Sequence, residues 1–394
     1  MFKKTVFAFS VCLLSFAVNA QTNDITRVLQ KIENNNKDLQ AYASLIESKQ
    51  LELKAGNNLP DPQAGAYYLP WGEHNTGNYS EFQVTQSFEF PTVYGVRSSL
   101  IKKQQGQKEL EYASKRQAVL LPAKKAILEL VFLNKRMTIE QTRVVQAKKV
   151  VDQIQELFNE GNVGVLEVNK AKIVWMQEQF KVEQIVTSRK NILLLLQNMN
   201  GGAEVTLNQP DFVESLHLAQ MDSIWQNRQM ADPLVKIMKL QEEVALQQIK
   251  LSKNESLPNL TAGFNYQGVS GSNYSGVYGG LSIPLWSNRH KVKAAESKYQ
   301  YQQSYSNVQL LTAYVGFQKQ YNDYQIMLSK FKEYQRTLTG LNSDALLLQS
   351  YELGEISYLT YYMELQFYRT AFDAMLEMEK QLHQLKADIL KHQL

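Results

Sequence analysis

The sequence has 394 residues, of which 42 are basic and 38 acidic, so its formal net charge is only +4 at neutral pH. A charge so nearly balanced, without a clustered basic stripe, argues against a nucleic-acid partner. The length suffices for two or three ordinary domains or for one elongated one. The sequence contains no Gly-rich phosphate loop, no HExxH pattern and no cysteine nucleophile, so we expect no catalytic site and no cofactor.

The first 20 residues have the organisation of a secretory signal peptide. Lys3 and Lys4 precede an apolar run that ends at Val18, and the small residue Ala20 closes the segment. A transmembrane anchor is the alternative, but the run is short for a bilayer span. No apolar run of about 18 residues follows, which argues against an inner-membrane helical protein. The locations that remain are the periplasm, the cell exterior and the outer membrane. The single cysteine, Cys12, lies within the leader, so no disulfide is expected.

Residues 21–208 are predicted to form a first structural repeat. Apolar residues at three- and four-residue steps predict a helix over 24–55, which the breakers of 56–60 end. A β-hairpin over 61–91 follows, and its second strand alternates apolar and polar residues. Long helices are expected to complete the repeat.

Residues 209–394 are predicted to form a second repeat with the same order of elements. A helix over 222–253 leads into a β-hairpin over 258–284, and long helices follow again. Such a pairing of short strands with very long helices is known from few architectures.

The long helices keep the same length in both repeats. Pro91 precedes Gly161 by 70 residues, and Pro284 precedes Gly354 by the same distance, which is roughly 100 Å of helix. Pro122 is expected to kink or break the long helix of the first repeat, and Gly340 is expected to do the same in the long helix of the second repeat. Narrow apolar stripes on polar helices favour coiled-coil packing, although an ordinary helical bundle is the alternative.

The strands have one apolar and one polar face, which is the weak signature of an outer-membrane β-barrel. A soluble, half-buried hairpin is the alternative. Four strands cannot close a barrel, so a barrel would require strands from several chains, and three copies supply twelve. The polar residues expected to line the upper pore are Glu81, Gln83, Thr85, Glu89, Asn265 and Gln267. Trp71 and Trp286 are candidates for the membrane interface or for turns.

Four segments carry a resemblance to a known family: 86–91, 281–285, 156–162 and 350–355. In order and spacing they resemble the outer-membrane efflux proteins of the TolC family, over essentially the whole chain after the leader. The resemblance implies a mostly α protein with a small β part. It also implies a homotrimer that shares a twelve-stranded barrel in outer-membrane lipid, continued through the periplasm by a helical coiled-coil tunnel.

The resemblance also implies roles for residues at the periplasmic end of the tunnel. The docking turns for a periplasmic adaptor (membrane fusion protein) would contain Gly161, Asn162, Gly354 and Glu355. A glycine also ends helices without any partner, which is the alternative. Glu167 and Tyr351 match residues that hold this end closed, or are two solvated helix residues. The family's paired aspartates and arginine are replaced by Thr360, Met363 and Ile356, so a cation-binding ring is not expected at this end.

Function follows from the same resemblance. We expect an exit duct of a tripartite efflux system, coupled to an inner-membrane pump. The segment 90–94 is similar to channels paired with resistance-nodulation-division pumps for heavy-metal cations. A duct for drugs or for type I protein secretion is an alternative, and a periplasmic coiled-coil adaptor or scaffold is another. No metal site is predicted, because the histidines lack ligand spacing. They are His74, His217, His290, His383 and His392.

Overall fold

A computed structural model describes residues 24–70, 77–269, 271–341 and 343–394. The predicted signal peptide and Trp71 lie outside the described residues. Helices dominate the described chain, and one small four-stranded sheet accompanies them, which confirms the predicted fold class. The elements in order are α1 (Asp24–Asn35), α2 (Lys37–Ala55), β1 (Gln63–Leu69), β2 (Tyr79–Phe88), α3 (Pro91–Asn159), α4 (Val165–Met199), α5 (Met221–Ala231), α6 (Pro233–Asn254), β3 (Asn259–Val269), β4 (Ser272–Ser282), α7 (Lys291–Leu341), α8 (Ser343–Glu352), α9 (Tyr358–Ile389) and a 3-10 turn (Lys391–Gln393).

The helix that precedes each hairpin is broken once, so the prediction of one uninterrupted helix was wrong in both places. Asn36 separates α1 from α2, and Asp232 separates α5 from α6. Both residues have extended backbones, and each side chain accepts a hydrogen bond of 3.0 Å from a backbone N–H of the helix that follows. Short polar side chains of this kind start a new helix, and Pro233 also disfavours a helical conformation at Asp232.

The two long helices differ from each other. Helix α3 starts at Pro91 and runs for 69 residues through Pro122, which is roughly 100 Å. In the second repeat Pro284 does not start a helix, since turns continue to His290, which has a φ of +67°, and α7 begins only at Lys291. Helix α7 ends directly after Gly340, as the glycine suggested, so the second long segment is divided between α7 and α8.

The four strands form one antiparallel sheet in the order β1-β2-β3-β4. Strand β2 pairs with β3, so the two hairpins are joined, which the sequence did not indicate. Phe82 lies opposite Ala66 and Tyr266, whereas Gln83 lies opposite Gly65 and Asn265. Because side chains alternate along a strand, one face of the sheet is largely apolar and the other largely polar. The apolar face includes Ala64, Ala66, Phe82, Val84, Leu260, Phe264, Val277 and Leu281.

Apolar packing is spread along the helices in separate clusters. One cluster joins α1, α3 and α4 through Ile32, Ile127 and Leu196. Another joins α7 to α9 and includes Tyr324 and Leu382, both fully buried. Long helices packed side by side bury narrow stripes in this way, instead of one thick core. Within the described ranges, no helix has the length and apolar character needed to cross a membrane.

A buried ionic network ties α3 and α4 to α9. Arg143 on α3 donates to Asp373 on α9 through two nitrogens, at 2.9 and 3.1 Å, and to Glu140 at 2.9 Å. Arg369 on α9 lies 3.5 Å from Glu178 on α4. All of these side chains except Asp373 are buried. The network therefore fixes the position of α9 along its two neighbours.

Burial of His383 predicts a pH-dependent stability. The ring stacks on Phe212 at 4.1 Å between centroids, and burial lowers the pKa of His383 from 6.5 to about 4. The unfolded chain therefore binds a proton below pH 6.5 that the folded chain does not, so stability falls as the pH drops towards 4. The loss is about 3 kcal/mol over that range. Denaturation of the purified protein at several pH values should show that the stability of His383→Phe depends less on pH than that of the wild type. Equal slopes would contradict the prediction, and the exposed His217 gives the control His217→Phe.

Candidate functional site

The first candidate turn links α3 to α4. Gly161 has a φ of +79°, and its N–H bonds to the carbonyl of Phe158 at 3.0 Å, while the N–H of Asn162 bonds to the carbonyl of Leu157 at 2.8 Å. This pair of bonds is the Schellman motif, in which a residue with positive φ ends a helix. Glycine adopts that conformation without steric cost, so it fixes where α3 stops.

The second turn, between α8 and α9, repeats this geometry. Gly354 has a φ of +74° and bonds to the carbonyl of Tyr351 at 3.0 Å, and Glu355 bonds to the carbonyl of Ser350 at 2.9 Å. Both connections contain five residues. Ser357 then caps α9 by accepting a 3.2 Å bond from the N–H of Thr360. The two predicted docking turns are therefore alike in backbone conformation.

An apolar cluster, here called the tip cluster, holds the two turns side by side. Its buried members are Val150, Val151, Ile154, Val168, Ala171, Tyr358, Tyr361 and Leu365. Val163 from the first turn and Ile356 from the second pack against it. Ile356 is one of the positions at which the resemblance to the TolC family would lead us to expect a charged residue. Its apolar side chain suits the packing that it makes there.

A groove of about 690 Å³ lies between the two turns. Both gating candidates line it: Glu167 from the first turn of α4, and Tyr351 from the last turn of α8. Glu156, Glu160 and Glu352 line it as well, so its polar rim is acidic. The fold thus brings Glu167 and Tyr351, which are 184 residues apart in sequence, to one groove.

Tyr351 is held by other tyrosines. Its ring stacks on Tyr361 at 5.2 Å between centroids and meets Tyr358 edge-on at 6.2 Å. Burial raises the pKa of Tyr351, so the phenol is neutral at physiological pH. Sequence reasoning missed Tyr358 and Tyr361, although their spacing of three residues early in a helix places them on one face.

The polar face of the sheet is the second candidate site. Five of the predicted pore-lining residues share this face by register: Glu81, Gln83, Thr85, Asn265 and Gln267. Glu81 accepts hydrogen bonds from the hydroxyl of Tyr79 at 2.6 Å and from the amide of Asn265 at 2.9 Å. The face is therefore a connected polar surface.

Glu89 is not part of that surface, so its prediction as a strand residue was wrong. Strand β2 ends at Phe88, because Pro91 starts α3 only three residues later. The Glu89 carboxylate instead binds Arg97 on α3, at 2.7 Å for one of its oxygens. Trp286 lies in the turns before α7 with 80% of its surface exposed, and this position suits either of its predicted roles.

Metal binding by side-chain clusters finds no support in the residues that the structure describes. Within them, no group of three or more His, Cys, Asp or Glu is placed to hold an ion. The glutamates of the groove between the turns do not form such a group either. Both candidate sites offer a polar or charged surface.

This combination of elements defines a class of fold. A small amphipathic sheet stands at one end of long helices, of which α3 reaches roughly 100 Å, and glycine turns lie at the other end. Outer-membrane channels of known structure have the same fold.

Searches against protein-family models and curated proteins found no match for this sequence. Several solved structures are similar in fold. CusC, whose structures concern transmembrane channel formation, is 14% identical, with a TM-score of 0.75 over 93% of this chain and 92% of that chain. The outer-membrane protein VceC of Vibrio cholerae is 14% identical, with a TM-score of 0.73 over 93% and 96%. The outer-membrane channel CmeC of Campylobacter jejuni is 16% identical, with a TM-score of 0.67 over 100% and 93%.

Proposed function

We propose that this chain is a TolC-family outer-membrane efflux protein, the exit duct of a tripartite efflux system. The observation that carries the proposal is the amphipathic sheet at one end of a long helical body whose other end has two matched glycine turns. The similarity in fold to CusC, VceC and CmeC supports it. Strands would cross the outer membrane, and the helices would extend through the periplasm.

The sheet supports a homotrimer. In the described chain, β1 and β4 each pair with a single neighbour, so both edges of the sheet are open. An unpaired strand edge in lipid costs several kcal/mol for each unsatisfied backbone group. Three copies joined through β4 and β1 would remove all edges and form a twelve-stranded barrel, with the apolar face towards lipid and the polar face towards the lumen.

The glycine turns would form the end of the duct that meets its partners. A periplasmic adaptor would dock at Gly161, Asn162, Gly354 and Glu355, and an inner-membrane pump would supply the energy for transport. Glu167 and Tyr351 would help to hold this end closed, since they line the groove between the two turns.

For the cargo we propose heavy-metal cations carried by a resistance-nodulation-division pump, because segment 90–94 resembles channels of that branch. The fold gives this segment a structural role as well. Val93 is buried against Leu100 and Leu251, and the Tyr94 hydroxyl accepts a hydrogen bond from the backbone of Glu89. Deletion of the gene should therefore sensitise cells to metal ions. Sensitivity to drugs alone, or loss of a secreted protein, would favour the other ducts.

The channel itself is tested by fractionation and conductance. We expect the full-length protein in the outer-membrane fraction, as a detergent-stable trimer that forms pores in planar bilayers.

Glu167→Ala should raise the open probability and the leak of antibiotics into cells, because it removes a side chain at the closed end. Glu183→Ala, an equal change at an exposed site on α4, should not. A monomer in the aqueous periplasmic fraction would refute the channel and favour the scaffold, whereas an unchanged Glu167→Ala channel would refute only the gating role.

A further inference from the structure

Glu81 is the only charged residue in the four strands, all of which the structure describes. The rest of the polar face is uncharged and consists of hydroxyl, amide and glycine positions, together with Leu69 and Val269 on either side of Tyr79. No basic strand residue is therefore available to neutralise the carboxylate. A single charge on an otherwise neutral surface determines the sign of the electrostatic potential close to that surface.

The carboxylate is held in a defined position by hydrogen bonds to both of its oxygens. The Tyr79 hydroxyl donates to Oε2 at 2.6 Å, and the Asn265 amide donates to Oε1 at 2.9 Å. Tyr67 on β1 and Gln267 on β3 lie directly opposite Glu81 in the register. All of these donors and neighbours are uncharged, so they orient the group without cancelling its charge.

Glu81 lies near the end of the sheet that is farther from the helices. It is the third residue of β2, whose last residue, Phe88, leads into α3. Its partner Gln267 is likewise two residues from the end of β3. In the proposed trimer, three copies of Glu81 would thus stand at one level inside the outer mouth of the pore.

We propose that Glu81 makes this outer mouth selective for cations, and the inference rests on the proposed channel function. A ring of carboxylates lining a pore attracts cations and repels anions. The ring would act at the exit, far from the turns that close the opposite end. Positively charged solutes would therefore leave more readily than negatively charged ones.

The test uses the full-length protein in planar bilayers with a KCl gradient, where the reversal potential gives the permeability ratio of K⁺ to Cl⁻. The wild type should favour K⁺, and Glu81→Gln should lower the ratio by about twofold or more. Glu81→Asp should retain most of the selectivity, because it keeps the charge. Gln83→Glu should increase the K⁺ to Cl⁻ permeability ratio, because Gln83 lies two residues from Glu81 on the same face of β2.

The outcomes separate the two proposals. If the wild-type protein forms no pore, the channel function fails and this inference fails with it. If it forms pores whose permeability ratio is the same in Glu81→Gln, only the role of Glu81 is refuted. Loss of selectivity in Glu167→Gln but not in Glu81→Gln would place the selective charge at the turn end and would also refute it. The trimer yield of each variant shows that it has assembled.

Discussion

Arg143→Ala is expected to lower the free energy of unfolding by about 3 to 5 kcal/mol, the cost of removing one partner from a buried ion pair. Arg143 supplies three hydrogen bonds: two to Asp373, which join α3 to α9, and one to Glu140 on α3 itself. Without it, Glu140 would remain fully buried, with Arg136 at 3.3 Å as an ionic partner. A buried carboxylate that loses most of the positive charge and hydrogen bonds that offset its desolvation destabilises the fold far more than a lost surface contact does.

The matched control is Lys330→Ala, which removes an ion pair on α7 whose two side chains are 63% and 60% exposed. Exposed pairs contribute little, so this variant should resemble the wild type. Both variants are compared by chemical denaturation of the detergent-extracted protein, followed by its helical circular dichroism. If Arg143→Ala lost no more stability than the control, the network would be structurally dispensable.

Features that depend on neighbouring residues could be predicted from the sequence. The two glycine turns lie where the sequence indicated, because a Schellman turn is specified by a few adjacent residues around Gly161 and Gly354. The polar and apolar faces of β2 and β3 also follow the predicted alternation. Breaks at Asn36 and Asp232 were local features that apolar periodicity could not reveal, since periodicity continues across a cap.

Features that depend on distant residues could not be predicted. Arg143 and Asp373 are 230 residues apart, and each resembles an ordinary charge on a polar helix. Their burial follows only from how α3 and α9 pack. Glu89 fitted the alternation of a strand, but its true partner, Arg97, lies on the following helix. The joining of the hairpins through β2 and β3 likewise needs the folded chain, because no local pattern encodes it.

Gly201→Ala is expected to destabilise the fold by about 2 to 5 kcal/mol, the sum of backbone strain and a steric clash. Gly201 ends α4 with a φ of +66°, and a Cβ at this position would lie 2.3 Å from the backbone oxygen of Asn35. That contact cannot relax by rotation of a side chain. The hydrogen bond from the Asn36 amide to the carbonyl of Met199, at 2.8 Å, would be strained with it.

Gly202→Ala separates the two causes. Gly202 also has a positive φ, of +92°, but a Cβ there would meet no atom within 4 Å. Its variant should therefore show the backbone strain alone, about 1 to 3 kcal/mol. The difference between the two variants measures how closely the break at Asn36 is packed against the end of α4. Equal losses in chemical denaturation would mean that α1 and α2 move away from α4 at little cost. A clearly larger loss for Gly201→Ala would show that the junction between Asn35 and the end of α4 is rigid.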